Sequence, residues 1–157
     1  MASFRPRGGS APTSGYPCGA AGNTLHAMSA ERMPITAPDA PAAVGPYAHA
    51  VRAGDLLFCS GQIPLDPRTG ELVAGDVADQ AGRCLENLAA VCQAAGATLG
   101  DAVRLTVYTT EMGSFSKINE VYESFFESDP PARVAVGVTS LPRGAKVEID
   151  AVVALPG

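Results

Sequence analysis

The spacing of apolar residues along this chain alternates between the two-residue period of a β-strand and the 3.6-residue period of a helix. The order in which these segments follow one another constrains the fold most. Two stretches with apolar residues three and four positions apart, from Asp76 and from Ser114, predict helices. Alternating or β-rich runs predict five strands, at residues 47–52, 56–62, 102–109, 133–139 and 146–155. The predicted order is β-β-α-β-α-β-β, an α+β domain with one mixed sheet and two helices packed on a single face.

Residues at the ends of these segments agree with the assignment. Asp76 is a typical N-cap for the first helix, and Gly96 suits the position just after its end. Residues 53–55, Ala-Gly-Asp, form a hairpin signal between the first two strands, and Pro130-Pro131 stops the second helix.

Residues 1–32 differ in composition from the rest of the chain. They are rich in Gly, Ala, Pro and Ser, and no acidic residue precedes Glu31. Such a segment buries too little apolar surface to offset its ordering entropy, which predicts a disordered N-terminal extension before a domain at residues 33–157. Three origins stay open: an upstream start with Met33 as the usual first residue, an organelle transit peptide containing Arg5 and Arg7, or a cloning remnant or functional tail.

Charge and cysteine usage exclude several classes of protein. The net charge of -5 repels phosphate backbones, so a nucleic-acid partner is not expected. The longest apolar runs, such as residues 151–155, are too short to cross a membrane. The four cysteines have no C-x-x-C spacing and the chain has two histidines, which predicts neither a disulfide framework nor a metal site. We therefore expect reduced thiols and a cytoplasmic protein, or an organellar one if the first 32 residues are a transit peptide.

The last two strands contain the most informative polar residues. If residues 140–145 close an antiparallel hairpin, Ala135 faces Asp150, and Arg133 lies diagonally from Asp150 on the same face. That face also includes Ala135 and Gly137, so a guanidinium and a carboxylate would border a space for a small molecule. A guanidinium binds carboxylates bidentately, and a carboxylate can orient water. A cross-strand ion pair on a solvated sheet is the alternative.

Other polar residues have simpler interpretations. His49 is either a proton shuttle or an ordinary strand histidine, and the second is favoured. Cys84 and Cys92 lie on the apolar stripe of the first helix and are predicted to be core residues, whereas a redox or ligand-facing role for Cys59 stays open.

Five motifs occur in a specific order: Gly45-Pro-Tyr47, Ser60-Gly-Gln-Ile-Pro64, residues 119–126, Pro131-Ala-Arg133 and residues 147–151. Together they resemble the RidA/YjgF family of 2-iminobutanoate/2-iminopropanoate deaminases, from about residue 34 to the end. The resemblance implies a chorismate-mutase-like fold and a homotrimer with active sites between subunits. It also implies hydrolysis of reactive 2-imino and enamine acids, such as 2-aminoacrylate, to 2-keto acids and ammonia without a metal or organic cofactor.

The resemblance also implies roles for individual residues. Arg133 matches the arginine that holds the substrate carboxylate, Asp150 an acidic position that is usually Glu and places the water, and Tyr47 a cleft tyrosine from the neighbouring subunit. Four further positions match residues that line the cleft: Ser60, Gly61, Asn119 and Ala135. Many members have Cys at the last of these, where the thiol is dispensable for hydrolysis.

Functions of other classes remain as alternatives. A non-catalytic ligand-binding or chaperone-like module would use the same cleft, since a fold alone does not fix a function. A nuclease or translation inhibitor is disfavoured by the acidic charge, and a chorismate mutase by the motifs. Ammonia release from an imine separates the deaminase from a binding module.

Overall fold

The residues described by a computed structural model, 31–126 and 128–156, form one six-stranded sheet with two α-helices. The strands are β1 Arg32–Ile35, β2 Ala50–Ala53, β3 Leu56–Gln62, β4 Ala102–Thr109, β5 Ala132–Gly137 and β6 Val147–Ala154. The helices are α1 Val77–Ala94 and α2 Phe115–Phe125. Short 3-10 turns at Leu99–Asp101, Met112–Ser114 and Pro142–Gly144 precede β4, α2 and β6. Of the predicted extension, the structure describes only Glu31 and Arg32, and Arg32 already begins β1.

The sheet is mixed, with the strand order β1-β2-β3-β6-β4-β5. Its neighbours pair antiparallel except β4 and β5, which are parallel. The predicted α+β class with two helices is confirmed, and β1 is an addition that the sequence did not predict. The predicted hairpin at residues 53–55 joins β2 to β3, where Gly54 adopts a positive φ of 61° that suits glycine.

Both helices pack on the face of the sheet that holds the main core. Asp76 caps α1 by accepting hydrogen bonds from the backbone N–H of Ala78 and Asp79, and Gly96 follows the helix end with a φ of 79°, as predicted. The apolar stripe of α1, including Leu85 and Leu88, is fully buried against β3 and β6.

The last two strands are not neighbours, so the predicted hairpin between them is wrong. β4 lies between β5 and β6: it pairs Leu105 with Arg133 on one side and Thr106 with Asp150 on the other. The physical reason lies in the connections. The helix-containing link from β4 to β5 allows parallel pairing of these two strands, and residues 138–146 are long enough to carry the chain past β4.

The prediction that Arg133 shares a face of the sheet with Asp150 is also wrong. Arg133 and Ala135 pair in register with the buried residues Leu105 and Val107, so they point toward the helices. Val134 and Val136 point to the other face, which neither α1 nor α2 covers. This uncovered face also includes four side chains at strand positions that alternate with the core: Phe58, Tyr108, Asp150 and Val152. Phe58 is 47% exposed and Val134 41%, which leaves large apolar side chains in contact with water.

Candidate active site

A cavity of about 470 Å³ opens at the end of the sheet where β3 leaves β6. We call it the β3/β6 cavity; its lining includes Val44, Tyr47, Ser60, Gly61, Pro142 and Glu148. The pairing of β3 with β6 shifts register between Cys59 and Gln62, and this irregularity turns Ser60 and Gly61 toward the cavity instead of continuing the ladder. The predicted cleft residues Tyr47, Ser60 and Gly61 therefore lie together.

Hydrogen bonds hold the segment that carries Tyr47 against the sheet. The Ser60 hydroxyl donates to the carbonyl of Ala48 at 2.7 Å. His49 is buried; its Nδ1 accepts from the backbone N–H of Ala37 at 3.1 Å, and its Nε2 donates to the carbonyl of Pro41 at 2.9 Å. Both ring nitrogens are thus engaged with the backbone, which supports the structural interpretation of His49 over a proton shuttle.

Glu148 is the acidic residue among those that line the β3/β6 cavity, and the sequence-based prediction missed it. Burial raises the pKa of its carboxyl above the ordinary value, and the negative charge of Asp150 raises it further. The carboxylate lies directly against the backbone of Gly61, where a β-carbon would overlap it. Glu148 lies two residues before Asp150 in the same motif, so the alternation of β6 places both carboxylates on one face of the strand. Alternation alone therefore did not indicate which of the two lines a cavity.

The second pocket, about 340 Å³ in volume, lies between α2 and the start of β5. We call it the α2/β5 pocket; it is lined by Asn119, Tyr122, Glu123, Phe126, Pro130 and Arg133. The guanidinium of Arg133 lies over two aromatic rings, 4.6 Å from the centre of Tyr122 and 5.2 Å from that of Phe115. Among residues 31–126 and 128–156, Arg133 forms no ion pair with a carboxylate.

Two polar atoms of residues that line the α2/β5 pocket have no hydrogen-bond partner in the described part of the chain. They are Oδ1 of Asn119 and the hydroxyl oxygen of Tyr122, both shielded from water. Buried polar atoms are paired in most proteins, so unpaired ones in a pocket indicate groups that meet a partner only when the pocket is filled or covered. Asn119 was predicted as a cleft residue, whereas Tyr122 was not among the predicted site residues.

The remaining two predicted site residues lie elsewhere. Asp150 is on the uncovered face of the sheet, where its Oδ2 accepts a hydrogen bond from the Tyr108 hydroxyl at 3.2 Å, and it lines neither pocket. Arg133 and Asp150 therefore lie on opposite faces, contrary to the predicted diagonal pair. Ala135 points to the helix face beside Val107, two residues beyond Arg133, and lines neither pocket.

The β3/β6 cavity and the α2/β5 pocket are too far apart in one chain to bind the same small molecule. Glu148 pairs with Tyr108, and Tyr108 with Val136. Arg133 therefore lies two strands from Glu148, which is about 10 Å across the sheet. It also lies three residues along β5 from Val136, which adds about 10 Å in the strand direction. It also points to the opposite face. A ligand of a few carbon atoms that contacts both Arg133 and Glu148 requires two copies of the chain.

The described cysteines are core residues. Cys84 and Cys92 are fully buried, as predicted, and the Cys84 thiol donates to the carbonyl of Val147. A hydrogen bond with Cys92 and burial both raise the pKa of Cys59. A protonated, buried thiol is a poor nucleophile, which disfavours the redox role left open for Cys59.

Metal-binding clusters and membrane-spanning helices are absent from the described residues. No cluster of three or more metal-binding side chains occurs among residues 31–126 and 128–156. In the same part of the chain, neither helix combines the length and the apolar character that crossing a bilayer requires.

Comparison with known proteins gives consistent matches. The family described as endoribonuclease L-PSP matches residues 37–155. The RutC family protein y4sK of Sinorhizobium fredii is 52% identical over 78% of this chain and 97% of its own length. The human 2-iminobutanoate/2-iminopropanoate deaminase is 40% identical over 77% of this chain and 88% of its own length. The crystal structure of E. coli TdcF with bound serine is 44% identical, with a TM-score of 0.74, over 78% of this chain and 98% of that one.

Proposed function

Because the chain belongs to the endoribonuclease L-PSP family, which includes RidA and YjgF, we propose that it hydrolyses 2-imino and enamine acids to 2-keto acids and ammonia. The observation that carries the proposal is the state of Arg133. Its guanidinium is exposed at the α2/β5 pocket, backed by aromatic rings and unpaired among the described residues. Such a group is a receptor for a carboxylate. Serine, which the E. coli TdcF structure contains, has a carboxylate next to a carbon–nitrogen bond, as the proposed substrates have.

We place the reacting carbon between Arg133 of one copy and Glu148 of another. The substrate carboxylate binds Arg133, and Glu148 orients the attacking water. Glu148 replaces Asp150 in this role because it lines the β3/β6 cavity and Asp150 does not. Tyr47 lines the same cavity, so its phenol is available to the substrate or to the intermediate.

The reaction then follows from ordinary imine chemistry. An enamine such as 2-aminoacrylate first tautomerises to the imine. Water adds to C2, a new C–O bond forms, and the π-electron pair of C=N moves to nitrogen. The proton from water passes to the Glu148 carboxylate and then to the nitrogen of the carbinolamine. The Glu148 carboxylate then takes the proton of the new hydroxyl group and passes it to the amino nitrogen. The C=O double bond forms as the C–N bond breaks, ammonia leaves, and the 2-keto acid remains. Glu148 suits this shuttle because burial holds its pKa above the ordinary value, nearer neutral pH.

Replacing Arg133 by alanine tests the carboxylate receptor. Two charge-assisted hydrogen bonds are worth about 3 kcal/mol or more, so we expect a loss of at least roughly 100-fold in kcat/KM. Ammonia release is measured with a pyridoxal-phosphate-dependent dehydratase that supplies the imine. Arg68→Ala is the matched control, since that side chain is 87% exposed in a loop that lines neither pocket. Full acceleration by the Arg133 variant would contradict the proposed function.

We also propose that the active unit is a homotrimer in which the uncovered face of each sheet packs on a neighbour. Exposed apolar side chains on that face, including Phe58, Val134 and Val136, support association. Light scattering should give three times the 16.0 kDa mass of one chain. Val134→Glu should dissociate the trimer and abolish ammonia release together, whereas Gln93→Glu on the exposed side of α1 should change neither. An active monomer would contradict the shared site.

A further inference from the structure

We propose that Tyr122 and Phe115 position Arg133 for carboxylate binding, by holding its guanidinium against the faces of their rings. This inference rests on the proposed function and adds two residues of α2 to the binding site. The distances of 4.6 Å to Tyr122 and 5.2 Å to Phe115 lie within the range over which a cation is attracted to an aromatic ring.

The arrangement solves a particular problem of a carboxylate receptor. A long, mobile arginine needs to be oriented, but a neighbouring carboxylate that oriented it would also occupy its hydrogen-bonding edge. Ring faces attract the flat side of the guanidinium and leave the N–H groups at its edge free. In the described part of the chain Arg133 has these ring contacts and no ion pair, which is the combination that the problem requires.

The contact that Tyr122 makes with Arg133 is through the ring. Its hydroxyl oxygen has no hydrogen-bond partner among the described residues, so the phenol group does not anchor Arg133 by a hydrogen bond. The ring is itself fixed, because Tyr122 is 5% exposed and packs against Phe126 with ring centres 4.6 Å apart and planes tilted by 39°. Because the Tyr122 ring is fixed, it can set the position of the Arg133 guanidinium that lies over it.

The test compares two replacements of Tyr122, one that removes the aromatic ring and one that removes only the hydroxyl. Tyr122→Leu keeps an apolar side chain and removes the ring, whereas Tyr122→Phe keeps the ring and removes the hydroxyl. The probe is 2-oxobutanoate, a 2-keto acid, with butan-2-one as the analogue that lacks the carboxylate. We expect Tyr122→Leu to bind 2-oxobutanoate about fivefold more weakly than the natural protein, the size of a typical cation–π contact. Tyr122→Phe should recover most of that loss, and Phe115→Leu should weaken binding by a similar factor.

Three further measurements separate positioning from general damage to the fold. The Nε proton of Arg133 should resonate upfield in the free protein because of the ring currents, and Tyr122→Leu should remove the shift. In an Arg133→Ala background, Tyr122→Leu should not weaken binding further. Val91→Ala, a fully buried core change on α1, should lower the thermal midpoint without changing the affinity.

The outcomes distinguish this inference from the proposed function. An upfield Nε proton in a protein that does not bind 2-oxobutanoate would refute the proposed function and leave the ring contacts intact. Normal binding by Tyr122→Leu would refute the positioning role alone. Equal losses in Tyr122→Leu and Tyr122→Phe would overturn it too, because they would assign the effect to the hydroxyl.

Discussion

Replacing Gly61 by alanine tests whether the position of the Glu148 carboxylate sets the rate of hydrolysis. The new methyl group would lie 3.0 Å from Cδ and 3.1 Å from Cγ of Glu148, and it would overlap the nearer carboxylate oxygen. The backbone of Gly61 does not have a positive φ, so alanine fits there without backbone strain. The perturbation therefore acts on the Glu148 side chain.

The size of the effect follows from how far that side chain must move. Carbon atoms in ordinary contact are about 3.5 Å apart or more, so Cδ has to retreat by about 0.5 Å. The carboxylate oxygen that the methyl group overlaps has to retreat by about 1 Å. A displacement of about 1 Å at a reacting group can cost roughly 100-fold in rate. We expect kcat to fall by about that factor. KM should change little, because in the proposed site Arg133, and not Glu148, binds the substrate carboxylate.

The assay is ammonia release coupled to a dehydratase, with circular dichroism to verify folding. Gly100→Ala is the matched control: its methyl group would meet only the Thr98 hydroxyl, at an ordinary 3.5 Å, in a turn that lines neither pocket. An unchanged kcat in Gly61→Ala would refute the reasoning, because the carboxylate would then tolerate displacement.

Three further predictions concern the two carboxylates of β6, Glu148 and Asp150. Glu148→Gln should lower kcat by at least about 100-fold, the usual contribution of an acid–base group, whereas Asp150→Asn should lower it less than about tenfold; the reverse order in the same assay would return the role to Asp150. The pKa of the Glu148 carboxyl is higher in the folded protein than the ordinary value of 4.5, so the unfolded chain loses this proton at lower pH than the folded one. The free energy of unfolding therefore falls as the pH rises from 4.5 through the raised pKa. The thermal midpoint of Glu148→Gln relative to the natural protein should therefore increase between about pH 4 and about pH 7. Because the Asp150 charge contributes to this raised pKa, Asp150→Asn should shift the acid limb of the pH profile of kcat to lower pH. If the limb does not move, the group that titrates there is not Glu148.

Much of the fold was predictable because its signals are local. Periodicity depends on neighbours in the chain, and it predicted both helices; the residue type at the start of the first helix predicted the Asp76 cap. Five short motifs in order were enough to indicate the family, and the match to residues 37–155 confirms it. The short strand β1 was missed because four residues, of which three are exposed, contain no usable alternation.

The composition of the candidate site depended on tertiary structure. Periodicity shows which residues of a strand share a face, but it does not show which strand lies beside it or which face meets the helices. The parallel pairing of β5 with β4 turned Arg133 toward α2, where the rings of Tyr122 and Phe115 hold it. Glu148 and Asp150 were equivalent by period, and only the irregular end of β3, which brings Gly61 against Glu148, distinguishes them. The sequence by itself determined the helices, most of the strands and the family of the chain. Which side chains meet was decided by strand pairing, because that pairing joins residues far apart in the chain and no local sequence pattern encodes it.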